Sequence, residues 1–181
     1  MKTWTIDEML AEGPCIHYTP ERLAELYDGR ESVSLIEILD APIPLQDIVW
    51  CITRPTALTQ DQCNKWGNRV AARMIRTRAL NCGIQDVERW AQAWLAGLGR
   101  DHESCERAQR AVDQFNRSCW GGVPVPNRAR EAATVAWYVS YGNLWDAAAD
   151  AAISDKRKTR EETLTQIQDC REILTGERYA I

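Results

Sequence analysis

The chain has 181 residues, a net charge of −4 and 45% hydrophobic residues. That length suits one domain with a substantial core, and the charge gives no general bias toward nucleic acid. No run of about 18 apolar residues offers a membrane span, and the opening MKTWTIDEML holds no apolar signal core.

The charge is uneven. Residues 1–50 hold ten acidic and three basic residues, a net of −7, which leaves a net of +3 for residues 51–181. The two parts are expected either to attract each other or to face different partners. The seven cysteines are Cys15, Cys51, Cys63, Cys82, Cys105, Cys119 and Cys170. Their number is odd, no pair has CxxC spacing, and several fall on apolar helix faces, where a thiol acts as a small hydrophobe. A reducing cytoplasm and no disulfide framework are therefore expected.

In chain order, TIDE at Thr5–Glu8 has the form of a capping box, in which Thr5 and Glu8 satisfy each other's backbone N–H groups, with the helix stopping near Gly13. TPERLAELYDG places Thr19 at an N-cap, Pro20 at the first helical position and Gly29 just past the end. SLIE at Ser34–Glu37 is a further box, closed soon after by Pro42. PLQDIVWCITRP is a helix opened by Pro44 and finished before Pro55. TQDQ at Thr59–Gln62 opens a longer helix to about Ala79, with Cys63, Trp66, Val70 and Met74 as its apolar stripe. Ile84, Val87, Ala91, Trp94, Leu95 and Leu98 mark the next helix, ended by Gly97 and Gly99. Cys105, Ala108, Val112, Phe115 and Cys119 mark a third, and Trp120–Asn127 is a reversing loop.

EAATVAWYVSYGNLWDAAADAA, residues 131–152, is apolar nearly all round, the mark of a central buried helix, with a kink expected at Gly142–Asn143. Its Trp137, Tyr138, Tyr141 and Trp145 are expected to hold helices together, since an aromatic stripe at helical spacing is usually core. Past Ser154 the pattern becomes amphipathic, with Leu164, Ile167 and Leu174 on one side and Gly176 at the end. The fold class is all-α: a bundle of four to five long helices (residues 56–181) behind an acidic cap of short N-terminal helices (residues 1–55).

Chemical signals are sparse. His17 and His102 lie far apart, outside any HExxH-type spacing, and read as surface or capping residues. No GxSxG, GxxxxGK[ST] or GxGxxG occurs, and the paired glycines of WGGVP are turn residues. Neither enzymatic activity, nor a cofactor, nor a metal is expected. Two charged faces carry more. Lys65, Arg69, Arg73 and Arg76 fall at i, i+4, i+8 and i+11, on one side of their helix, and suit phosphates or an acidic protein surface. Glu21, Glu25 and Asp28 share one side of another helix, with Glu31 close behind, and suit a basic partner. Either face also serves as a plain solvated surface or, for the basic one, as a pairing surface for the acidic N-terminal part. Direct DNA binding is not expected, because no helix-turn precedes the arginine-rich helix at the usual spacing.

DEMLAEGPC, then YTPERLAELYDGRESVSLIEILDAPIPLQDIVWCITRP, then the Trp- and Ala-rich helix and a closing LTQIQDCREIL resemble a diffuse set of helical phage and bacterial proteins of the immunity-protein type. The matching elements are Asp40–Pro44 with Trp50, the Arg89–Gly97 helix, Glu131–Ala152 and Cys170–Leu174. The alanine-rich tract is shorter here than in many members. The resemblance covers most of the chain and brings no catalytic residue. It implies a cytoplasmic counter-defence protein, in its sharpest form an anti-CRISPR that blocks a CRISPR-Cas effector subunit by stoichiometric binding through Glu21, Glu25, Asp28 and Glu31 or through Lys65, Arg69, Arg73 and Arg76. The alternatives are an immunity protein that neutralises a toxin and a DNA-binding regulator.

Overall fold

The computed structural model describes residues 2–118, 128–153 and 159–176, excepting the side chains at 144, 145, 152, 153 and 159. The fold is all-α, with ten helices and one small ribbon among the described residues. The N-terminal part contains α1 (Ile6–Ala11), α2 (Pro20–Tyr27), α3 (Leu35–Leu39) and α4 (Leu45–Ile52). Helices this short do not persist alone in water, and their ends are correspondingly well defined. Thr5 and Ser34 each complete a reciprocal capping box, and Thr19 accepts the backbone N–H of Arg22 ahead of Pro20. An antiparallel ribbon of β1 (Thr3–Trp4) and β2 (Val33–Ser34), with Trp4 opposite Val33, ties the start of the chain to α3 and buries Trp4.

The body contains α5 (Gln60–Arg78), α6 (Gln85–Leu95), α7 (His102–Ser118), α8 (Arg128–Ser140), α9 (Leu144–Ile153) and α10 (Thr159–Thr175). A third capping box, Thr59 with Gln62, opens α5. Its expected stripe is buried at Trp66, Val70 and Met74, and half-buried at Cys63. Against it lies the face of α8 made by Ala129, Ala132, Ala133, Val135 and Ala136, all buried. Residues this small let two backbones approach closely, and interior packing leaves little slack around them.

The expected single helix over residues 131–152 is two helices. Gly142 adopts a left-handed φ of 75°, Asn143 Oδ1 accepts the Asp146 N–H as a new N-cap, and α8 and α9 pack on each other. Tyr141, at the break, is 59% exposed, so it does not hold helices together in the core as expected. Trp137 and Tyr138 are half-buried against the core; the Trp145 side chain, Cys119 and the Trp120–Asn127 segment lie outside the described residues. Two further expectations are corrected. Leu98 follows the end of α6 and is 67% exposed, and Leu164 is 45% exposed. The buried face of α10 instead carries Thr163, Gln166, Ile167 and Cys170.

One buried cluster runs from Trp4 to Cys170 through both parts. The cap rests on α10 and α9 through α3 and α4. At the seam the Arg171 guanidinium grips both Asp40 oxygens, at 2.6 and 3.1 Å. The body is tied together across 100 residues at Gln166. Trp66 Nε1 donates to the Gln166 carbonyl (2.8 Å), and Gln166 Nε2 donates to the Ala148 carbonyl (3.1 Å), joining α5, α9 and α10.

Candidate functional site

The cap encloses a mostly apolar cavity of about 400 Å³, within the size range of small-molecule pockets. Its position follows from local chain geometry. Gly13, at a left-handed φ of 71°, turns the chain after α1. The segment then returns through Cys15, whose carbonyl accepts the Tyr18 N–H at 2.9 Å, into the Thr19 cap of α2. Leu23 of α2, Val33 of β2 and Ile38 of α3 form apolar walls, and Tyr18, Tyr27 and Trp50 add aromatic ones.

Polar groups converge at two places. At one, the Tyr18 hydroxyl donates to Asp47 Oδ2 at 2.5 Å. Burial first, and then this carboxylate, push the Tyr18 pKa well above the usual tyrosine range. At the other, Arg30 closes the end of α2 by donating to the Tyr27 and Leu26 carbonyls (2.7 and 3.1 Å) and also holds Glu37 at 2.9 Å. The Cys51 thiol lines the cavity too, and burial pushes its pKa up to about 12, so it is protonated near neutrality.

Sequence reasoning did not find this cavity, because Tyr18 and Asp47 are 29 residues apart. The available signal was Tyr18 directly before an N-cap, a position whose side chain tends to fold back on the helix.

Of the acidic residues singled out in the sequence, Glu21, Glu25, Asp28 and Glu31 are all exposed. Glu25 pairs with Arg22 at 2.8 Å. Among the described residues, no basic side chain pairs with Glu21, Asp28 or Glu31. Asp28 is also the C-cap of α2 and sits in the left-handed region at φ 50°, a conformation that costs an ordinary side chain about 1–2 kcal/mol and suits glycine better.

The basic stripe has a different fate. Arg69 donates to Asp169 (3.2 Å) and Glu172 (2.7 Å), and Arg73 donates to Glu162 (2.8 Å) and to Asp169, all on α10. The three carboxylates are mostly buried, so this network joins α5 to α10 inside the body. Lys65 pairs locally with Asp61, and Arg76 is exposed on the last turn of α5. Arg78, beside the stripe, pairs with Glu131 of α8.

His102 opens α7 and faces the start of the α8–α9 break. Its Nε2 lies 3.1 Å from the Tyr141 hydroxyl, and its ring lies against Tyr141 and Trp137, with centroids at 4.5 and 5.5 Å. His17 is exposed on the turn between α1 and α2. A groove between α6 and α7 is lined by Arg89, Arg107 and Arg110, each paired along its own helix with Asp86, Glu103 and Glu106. Burial also pushes the Cys105 and Cys170 thiols up to about 12. Among the described residues, no three His, Cys, Asp or Glu side chains come together as a metal site, and no helix is long and apolar enough to cross a membrane. Compared with protein-family models, with curated proteins and with solved structures, the chain matches none of them.

Proposed function

We propose that the protein acts by stoichiometric binding, docking the acidic surface of its cap on a basic surface of a protein partner. The observation that carries this reading is the contrast between the two charged faces. Arg69 and Arg73 are held by Glu162, Asp169 and Glu172 of α10, whereas Glu21, Asp28 and Glu31 stand exposed with no basic partner among the described residues. The outward charge of this part of the molecule is therefore negative, and complementary charge speeds and orients association. The left-handed backbone of Asp28 points the same way, since strain at a surface residue is often tolerated for function.

In the phage setting implied by the sequence resemblance, the partner is a CRISPR-Cas effector subunit whose DNA-binding surface the cap would occlude. A DNA-binding regulator is the weaker reading, because Arg69 and Arg73 would first have to leave their carboxylates on α10. The test is plaquing of a targeted phage on a host with an active type I CRISPR system. Restored plaquing in cells expressing the protein, lost when Glu21, Glu25, Asp28 and Glu31 are all changed to lysine in a protein that still folds, is the expected result. No restoration by soluble, expressed protein overturns the counter-defence reading. Restoration that survives the charge reversal overturns the acidic face as the docking surface.

A further inference from the structure

The cap cavity lies beneath the acidic surface and has a chemistry of its own. Its body is apolar and partly aromatic, with polar groups at two places, Asp47 with Tyr18 and Arg30 with Glu37. Asp47 and Tyr18 together present acceptors. The Tyr18 hydrogen is already directed at Asp47 Oδ2, which leaves the remaining carboxylate lone pairs and the phenolic oxygen as acceptors.

The nearby cations are otherwise engaged. Arg30 is balanced by Glu37 and bonded to two carbonyls. Arg54 donates to the Trp50 carbonyl at 3.1 Å and stacks over the Trp50 ring at 4.3 Å from its centroid. Among the described residues no Lys or Arg pairs with Asp47, whereas Glu37 is held by Arg30 and Asp40 by Arg171. A carboxylate with no countercharge, set beside Tyr18 and Tyr27, combines a charge partner with the π faces that attract cations. An anionic ligand would be repelled by Asp47, while the cavity's own guanidinium, Arg30, is already balanced by Glu37.

We propose that this cavity binds a small, mostly apolar organic cation, a primary ammonium carried on an aromatic or alkyl body. The ammonium donates to Asp47 and to the Tyr18 oxygen, and the body fills the space between Leu23, Ile38 and Trp50. The negative charge of the cap raises the local concentration of such a ligand. This site is separate from the docking reading above and does not depend on it.

The test is calorimetric titration of the full chain with three indoles of one shape: tryptamine, the neutral alcohol tryptophol and the anion indole-3-acetate. Tryptamine is expected to bind about tenfold more tightly than tryptophol, as a charge-assisted contact predicts, and indole-3-acetate not to bind. Asp47→Asn should remove the advantage of tryptamine and leave tryptophol binding in place. Ala41→Trp, which fills the cavity from its wall, should abolish binding of both, with near-ultraviolet circular dichroism confirming a native fold. The proposal is overturned by a folded wild type that does not bind tryptamine, by equal binding of tryptamine and tryptophol, or by binding that survives Ala41→Trp. If Asp47→Asn does not fold, the wild-type preference and the Ala41→Trp result still decide the matter.

Discussion

The cap and the body of this molecule solve the same problem in opposite ways. In the cap, three of the four short helices are capped by side chains close to them in sequence: Thr5 with Glu8, Thr19 with the Arg22 N–H, Ser34 with Glu37. Between them a cavity of about 400 Å³ is left open. In the body, fixing is long-range. Arg73 reaches Glu162, and Trp66 reaches Gln166, across 89 and 100 residues. Alanine faces bring α5, α8 and α9 together with little space to spare. The cap also buries a core of its own, Trp4, Leu35 and Ile52 among it, but that core is interrupted by the hollow, whereas the alanine faces of the body leave little space. The region best suited to hold a ligand is thus the one whose core is interrupted.

Substitutions can break or sharpen this contrast. The largest effect is expected from Trp66→Ala, which removes a fully buried indole and its bond to Gln166, and should cost about 4 kcal/mol in urea unfolding. If it costs no more than a surface change, the body is not held by dense packing. Ala132→Leu forces a larger side chain into the buried α8 face and should destabilise by about 2–3 kcal/mol; a neutral result would reveal slack in that face. Arg73→Met leaves Glu162 and Asp169 facing each other in a mostly buried place and should lower stability by about 2 kcal/mol. Equal stability of this variant and the wild type would show the network to be a surface ornament.

In the cap the sign reverses. Asp28→Gly relieves a left-handed residue and should raise stability by about 1 kcal/mol, measured by thermal unfolding, while weakening partner capture. A stabilised variant that binds its partner as well as the wild type does would remove Asp28 from the docking surface. The smallest effect is expected at Asp150. Burial, then Asp146 and Glu131, raise its pKa above the ordinary 3.8. A raised carboxyl pKa means that the folded state holds its proton more tightly, so stability declines as pH rises from the unfolded value through the folded one. Asp150→Asn should therefore melt slightly higher than the wild type at pH 7 and equally below pH 3.8. An advantage that persists at low pH would assign the effect to packing.

The two regions also differed in how much of them could be read from the sequence. Every N-terminal cap named there for the short helices, and the one on α5, is formed, because a cap is a bond between residues three apart and is written in the chain order. The all-α class followed from the same signals. The division of residues 131–152 was only half visible: glycine and asparagine marked the place, but the surrounding apolar residues gave no measure of whether the helix would bend or stop. Periodicity misplaced Leu164, because α10 is buried along Thr163, Gln166 and Cys170, two of them polar. The burial of Gln166 is explained by what it meets, Trp66 and the Ala148 carbonyl, and no local pattern encodes a partner 100 residues away. The destination of Arg69 and Arg73 was hidden for the same reason. Pairing with the acidic N-terminal part was one of several readings of the basic stripe, and the carboxylates that hold Arg69 and Arg73 come from α10.

The bond from Trp66 to Gln166 bears on how the chain is made. Residues 60–153 supply most of the buried face of the body, yet the α10 strip that covers Trp66 leaves the ribosome about 100 residues after Trp66 itself. At about 5–20 residues per second that interval is about 5–20 s. Throughout it, the short helices can already carry their local caps, while α3 and α4 lack the α10 surface they rest on and α5 waits with its tryptophan uncovered. A nascent chain paused before residue 159 should therefore expose the faces of α3, α4 and α5 that α10 covers, a surface that chaperones recognise.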